Sequence, residues 1–258
     1  MYLTWLDNNS WLIEISGQRI LVDPWLVGSL SFGLDWLFKG SLKQERLISE
    51  DIDLILLSQG LPDHAHLPTL KQLDHKIPVV ASPNATKVVQ ELGYTSVTCL
   101  DHGETFTFNH QIEIRALPGS PIGPTVVENS YLLKELATSF TLYYEPHGYH
   151  SPQLKQFAPV DVIITPTVDL ALPLVGAIIR GTSSVLEVSQ WLEPQFILPT
   201  AATADTTYEG MMVNFLKAVG TAEDLRTSLQ KHNLTTQVLE PKPGDRLELA
   251  LQQRILTS

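Results

Sequence analysis

Leu56-Leu57-Ser58-Gln59-Gly60-Leu61-Pro62-Asp63-His64-Ala65-His66 is the densest polar cluster of the chain, with one carboxylate and two imidazoles between residues 63 and 66. The run Asp53 to Leu57 before it is short and continuously apolar, which suits a buried strand. Pro68 stands after it where a helix can start, because a first-turn proline gives up no needed N–H; that helix runs through Thr69, Leu70 and Leu73. A polar loop between a strand and a helix is a common place for ligands, since the sheet fixes its base. The same residues also read as a polar helix start with Asp63 near the first turn.

Outward from this loop, the sequence alternates strand and turn signals. Tyr2 to Leu6, Ser10 to Ile15 and Arg19 to Val22 are rich in β-branched and aromatic residues, with Asp7-Asn8-Asn9 and Ser16-Gly17-Gln18 as turns, so an antiparallel meander opens the fold. Downstream, Val79 to Ala81 is a strand and Asn84 caps a helix reaching Leu92. Further strands are expected at Val97 to Leu100, Thr105 to Phe108, Ile112 to Leu117, Ser130 to Lys134 and Thr141 to Tyr144. Val162-Ile163-Ile164 and Phe196-Ile197-Leu198 read as buried strands, and Leu247 to Leu249 as a closing one. Helices are expected at Thr182 to Trp191, Tyr208 to Val219 and Ala222 to Lys231. Periodicity alone leaves a pair of packed sheets flanked by helices and a doubly wound α/β sheet equally open. No linker rich in Pro, Gly or Ser divides the chain, so residues 1–258 are read as one domain.

The cluster resembles the His-x-His-x-Asp-His signature of the metallo-β-lactamase-like hydrolases, with Gln59, Leu61, Asp63 and His64 at the four positions. The likeness extends along the chain. Ile20-Leu21-Val22-Asp23-Pro24 is similar to the opening turn of the subgroup related to ascorbate-phosphate lactonases. Leu142 to Gly148 resembles the strand and turn that carry the family's bridging aspartate, and Phe196 to Thr200 the strand before its last metal histidine. Pro243-Gly244-Asp245 resembles its closing element. The resemblance implies a four-layer αββα sandwich. It also implies two metal ions, but most ligand positions are changed. The first histidine pair is Gln59 and Leu61, the third histidine falls near Pro118-Gly119-Ser120, the bridging aspartate near Glu145-Pro146, and the last histidine near Thr200-Ala201. Leucine cannot ligate, and a glutamine amide is a poor zinc ligand.

Asp63 and His64 are what survives residue for residue. Placed beside Glu145 and His147, as the resemblance implies, they offer two nitrogens and two carboxylates, enough for one zinc, manganese or iron ion. His66 and His150 stand in reserve, and Asp23 would orient a histidine from behind. The expected reaction is hydrolysis of a small ester, lactone or phosphoester with Asp63 or Glu145 as proton acceptor. The alternative is an inactive member of the fold that binds a ligand or partner through the old cleft, its polar residues merely bonding one another.

Bulk properties narrow the partners. The 258 residues carry a formal charge of −11, and no basic run occurs, so nucleic acid and anionic membranes are disfavoured. Cys99 is the one cysteine, which rules out a disulfide framework and a Cys-rich zinc site; it falls in an apolar strand and reads as a small buried residue. No Gly-x-Ser-x-Gly elbow or Gly-rich phosphate loop is present. Without a signal-peptide start or an apolar run long enough to span a bilayer, the protein is read as cytoplasmic. Two apolar stretches, Trp25-Leu26-Val27 with Phe32 to Phe38 and Leu170 to Ile179, have no clear period. They read as core, as the lining of a pocket for a small molecule, or as a contact with a second subunit in a homo-oligomer. An interaction at a membrane surface is a third use for such loops.

Overall fold

The run Leu54–Leu57 sets the layering. Leu54 and Leu56 point into one core, Ile55 and Leu57 into another, and all four are fully buried. A strand covered on both faces needs an apolar side chain at every position. The computed structural model describes residues 1–46, 51–123, 125–173 and 176–254.

In chain order, β1 (Tyr2–Trp5), β2 (Trp11–Ile15) and β3 (Gln18–Val22) form the opening meander, and β4 (Ser29–Ser31) and β5 (Lys39–Leu42) leave it. β6 (Leu54–Leu57), the short helix α1 (Leu67–Leu70), β7 (Val79–Ala81), α2 (Pro83–Glu91) and β8 (Val97–Cys99) follow. Then come β9 (Thr105–Phe108), β10 (Ile112–Ile122), β11 (Val126–Glu135), β12 (Thr141–Tyr144) and β13 (Val162–Thr165). β14 (Asp169–Leu172), β15 (Gly176–Ile179), α3 (Thr182–Leu192) and β16 (Phe196–Pro199) lead to β17 (Thr206–Glu209) and β18 (Lys217–Val219). α4 (Ala222–Lys231), β19 (Gln237–Val238) and β20 (Arg246–Glu248) close the described chain.

Two seven-stranded sheets result, ordered β20-β1-β2-β3-β6-β7-β8 and β19-β16-β13-β12-β11-β10-β9. Their inner faces share one core, in which Trp11, Ile13, Leu54 and Leu56 meet Ile114, Tyr131, Tyr144 and Ile164. The Tyr131 hydroxyl donates across it to the Leu57 carbonyl at 2.9 Å. α2 covers the outer face of the first sheet through Ala85 and Val89; α3 and α4 cover the second through Val185, Val188, Leu192, Leu225 and Leu229. This is the four-layer αββα sandwich of the metallo-β-lactamase type, and it resolves the choice between the two architectures that periodicity left open.

Several local expectations change. The expected helix over Tyr208 to Val219 is instead β17, a 3₁₀ turn at Met211–Phe215, and β18. Gly210 breaks it at a φ of +114°, and β17 and β18 find partners in β5 and β14 that a sequence window cannot see. α2 is capped by Ser82, whose hydroxyl accepts from the Ala85 N–H at 3.3 Å, while Asn84 donates to Glu128 instead. α1 ends at Leu70, one turn long. Cys99 is exposed, because β8 is the edge strand of its sheet. The stretch Leu170 to Ile179 folds as the β14–β15 pair; Leu174 and Val175 lie outside the described residues.

β3 and β6 run parallel in one sheet, and β12, β13 and β16 run parallel in the other. The loops leaving their C-terminal ends carry Asp23, Ser58 to His66, Glu145 to His150 and Thr200. Two small sheets, β17-β5-β4 and β15-β14-β18, stand outside the sandwich.

Candidate functional site

Asp23 organises the site. It ends β3 at a φ of +42°, with no exposed surface. Its Oδ1 accepts from the Ser58 N–H at 2.7 Å; its Oδ2 takes the Ser58 hydroxyl at 2.5 Å and the Tyr144 hydroxyl at 2.7 Å. His64 Nδ1 also donates to that oxygen at 2.7 Å. β3, the loop after β6, and β12 are thereby tied at one carboxylate. The His64 ring is fixed with Nε2 facing forward, 3.2 Å from Asp63 Oδ2 and 3.4 Å from the Asn9 amide nitrogen.

His147 arrives from the other sheet, on the turn after β12, and its ring meets His64 edge to face at 5.0 Å. One ligand atom from each of Asp63, His64 and His147 lies within 4.8 Å of the other two. Among the described residues this is the cluster of a kind that can hold a metal ion. Behind His147, Nδ1 lies 2.9 Å from Gln59 Nε2 and 3.0 Å from Ser120 Oγ, and Gln59 Nε2 also donates to Ser120 at 2.7 Å. The first and third histidine positions of the family signature are thus filled by a hydrogen-bonded amide and hydroxyl. Buried Asp63 Oδ1 and Gln59 Oε1 have no protein partner. A buried carboxylate oxygen left bare beside two imidazoles is chemistry a divalent cation satisfies, so the residues fit one ion.

Glu145 stands apart from the three. Its Oε2 accepts the backbone N–H groups of His147 at 3.0 Å, Gly148, and Tyr149 at 2.8 Å, which closes the turn that presents His147. His66 is engaged elsewhere, with Nδ1 on Thr69 Oγ1 at 3.0 Å and Nε2 on the Ser29 carbonyl at 3.2 Å. His150 lies against the Tyr143 hydroxyl at 3.3 Å. Thr200 takes the Trp11 indole N–H at 3.2 Å and donates to the Asn8 carbonyl at 3.2 Å, so it braces the β1–β2 turn where the family pattern has a ligand.

The site is electrostatically divided. Burial disfavours a charged His64, but the Asp63 and Asp23 carboxylates outweigh it and lift the ring's pKa to about 10. Burial likewise works against the Asp63 anion, and the His64 charge holds its pKa below the ordinary carboxylate range. Burial and the charged His64 push His147 down to about 3. Glu145 rises to about 7 through burial, against the pull of its three N–H donors.

Above Asp63 and His147 opens a chamber of about 680 Å³. Leu30, Phe32, Leu37 and Phe38 come from β4 and the segment before β5; Leu170, Leu172, Ile178 and Ile179 come from β14 and β15. Tyr208, Met212, Val213, Leu216 and Ala218 line the third side. Both apolar stretches singled out in the sequence therefore line the chamber, except that Trp25, Leu26 and Val27 are core. The third wall was hidden in the sequence by its helix-like run of apolar residues. Gly210 was the local signal against that helix.

Residues 2–201 match a family described as "Beta-lactamase superfamily domain". The segment from Tyr208 to Ala218 lies beyond that match. No curated relative matches the chain in sequence. Among solved structures, an isothiocyanate hydrolase from Delia radicum gut bacteria has 16% identity and a TM-score of 0.71, over 96% of this chain and 99% of that one. A possible metal-dependent hydrolase from Veillonella parvula gives the same figures. CmlA, a diiron β-hydroxylase from Streptomyces venezuelae, has 17% identity and a TM-score of 0.66 over 96% of this chain and 54% of its own. At such identities the likeness is one of fold.

Proposed function

Since the chain belongs to the β-lactamase superfamily domain family, we propose that it is a one-metal hydrolase of a small ester, lactone or phosphoester, with Asp63, His64 and His147 holding the ion. The observation that carries this reading is the convergence of those three ligand atoms within 4.8 Å, with Asp63 Oδ1 bare beside them. When bound, zinc, manganese or iron supplies Lewis acidity and lowers the pKa of a water that it holds. The protein's own residues do the rest. Asp23 holds His64 from behind at Nδ1, which leaves Nε2 as the ligand nitrogen. Gln59 and Ser120 hold the His147 ring from behind at Nδ1, Gln59 Nε2 at 2.9 Å and Ser120 Oγ at 3.0 Å, which leaves Nε2 as the nitrogen facing the other two ligands. Asp63, which would hold the ion through one carboxylate oxygen, would take up a proton at the other. Glu145 acts through the turn, as a positioning residue for His147. The Ile20 to Pro24 turn, with Asp23 in it, supports the narrower likeness to ascorbate-phosphate lactonases.

A second reading, an inactive binder, draws on one observation. His64 lies between two carboxylates, and a protonated imidazole there supplies locally the positive charge that an ion supplies elsewhere. Elemental analysis of untagged protein separates the two. About one equivalent of metal per chain, absent in His64→Ala, supports the hydrolase. A chain still metal-free after incubation with zinc, manganese and iron leaves the binder.

A further inference from the structure

The chamber has a polar floor and walls of a different kind. Asn8, Asn9, Asp63 and His147 face it from below. Its sides are mainly aliphatic, from three separate parts of the chain, and no lysine or arginine lines them among the described residues. Asp169, the one other acid there, is spent on its own fold: Oδ1 accepts from the Gly181 N–H at 2.6 Å and the Thr182 N–H at 3.2 Å, and Oδ2 from the Thr182 hydroxyl at 2.6 Å. An anionic group entering such walls would lose water and gain no partner, which is costly. An apolar group entering them gains by leaving water. The chain's formal charge of −11 adds to the bias against anions.

We infer that the chamber takes an uncharged carboxylic ester or lactone, with its hydrocarbon part between the aliphatic walls and its carbonyl carbon at the Asp63–His147 floor. The head-group position rests on the hydrolase reading; the choice of a neutral, apolar ligand does not. Hydrolysis breaks the acyl carbon–oxygen bond, adds the water's hydroxyl to the acyl carbon and gives its remaining proton to the leaving oxygen. The acid so formed ionises at neutral pH, with its carboxylate at the floor beside Asp63.

Binding can be read without any reaction. Protein stripped of metal is titrated with the neutral fluorophore N-phenyl-1-naphthylamine, and the bound probe is displaced with methyl octanoate, octanoate or octyl phosphate at pH 8. Saturable binding is expected, with methyl octanoate displacing at a concentration at least about tenfold below either anion. Ile178→Glu, at an exposed wall position, and Met212→Glu, on the third side, are each expected to weaken probe binding about tenfold or more while the thermal midpoint holds. Non-saturable binding, equal displacement by the anions, or folded variants that bind as the parent does would overturn the inference. Metal content measured on the same preparations keeps the two readings apart. Selective ester binding by a chain that takes up no metal upholds the chamber and removes the hydrolase. A loaded chain with no preference for the neutral ester does the reverse.

Discussion

At the scale of single residues, His64 is the pivot. Its pKa of about 10 means that the ring carries a proton at neutral pH, and an ion must displace it. Zinc affinity of the metal-free protein is therefore expected to rise by about tenfold per pH unit between roughly pH 7 and 9, with about one proton released per ion, measurable by calorimetry in buffers of different ionisation enthalpy. Without metal, the raised pKa has its own signature. The His64 contribution to stability is complete below the unfolded value of 6.5 and is lost as pH climbs through about 10, so the metal-free thermal midpoint should fall across that window. Asp23→Asn removes one of the two carboxylates and should flatten this fall. Gln59→Leu tests the support of the His147 ring: metal affinity should drop by about 10–100-fold while the midpoint of the metal-free chain changes little. Unchanged affinity would remove Gln59 from the site. The sequence pointed to Asp63, His64 and His147. It could not show that Glu145 bends back onto three N–H groups of its own turn, because that depends on a chain path set by neighbouring strands.

Among the elements, the turn from Glu145 to Tyr149 decides where His147 stands. Gly148 sits in it at a φ of +79°, and an added Cβ would lie 1.6 Å from the Arg180 carbonyl oxygen. The same neighbour donates its N–H to the His147 carbonyl at 2.8 Å. Gly148→Ala is expected to lower stability by more than about 1 kcal/mol in chemical denaturation and to lose metal, since the turn must shift. Metal retained at parental affinity would show that the turn does not place His147. Ser82→Ala, by contrast, removes only the cap of α2 and should cost ~1 kcal/mol without touching metal content. The buried strands β6, β13 and β16 were legible as short apolar runs, and the opening meander through its alternation and turns. β17 and β18 were not legible, because what makes them strands is pairing with β5 and β14, far away in sequence.

Across the whole molecule, the two sheets hold the site by meeting there. Asp23 and His64 come from one sheet, Tyr144 and His147 from the other, and the Tyr144 hydroxyl joins them at Asp23. Core packing between the sheets therefore bears on the metal ligands. Ile164→Ala, deep in the shared core, should cost about 2–5 kcal/mol by denaturation and lower metal occupancy at temperatures near the reduced midpoint. A comparable loss from Val185→Ala in α3, whose side chain packs on the outer face of the second sheet, should leave the ligands in register. Equal loss of metal in both variants would argue that global stability alone governs the site.

The apolar runs and turn residues marked most of the strands in the sequence by itself, because burial on both faces and turn chemistry are local demands on residue type; the four-layer arrangement was implied only by the family resemblance that the Asp63–His64 pair carries. The loss of most of the family's metal ligands was equally plain, since a leucine or a threonine cannot stand in for an imidazole. Only the tertiary structure decided that Gln59 and Ser120 back His147, that Glu145 serves its own turn, and that three distant stretches close an aliphatic chamber over the polar floor. Those are outcomes of contact between residues up to about two hundred positions apart, and no local preference of the chain encodes them one at a time.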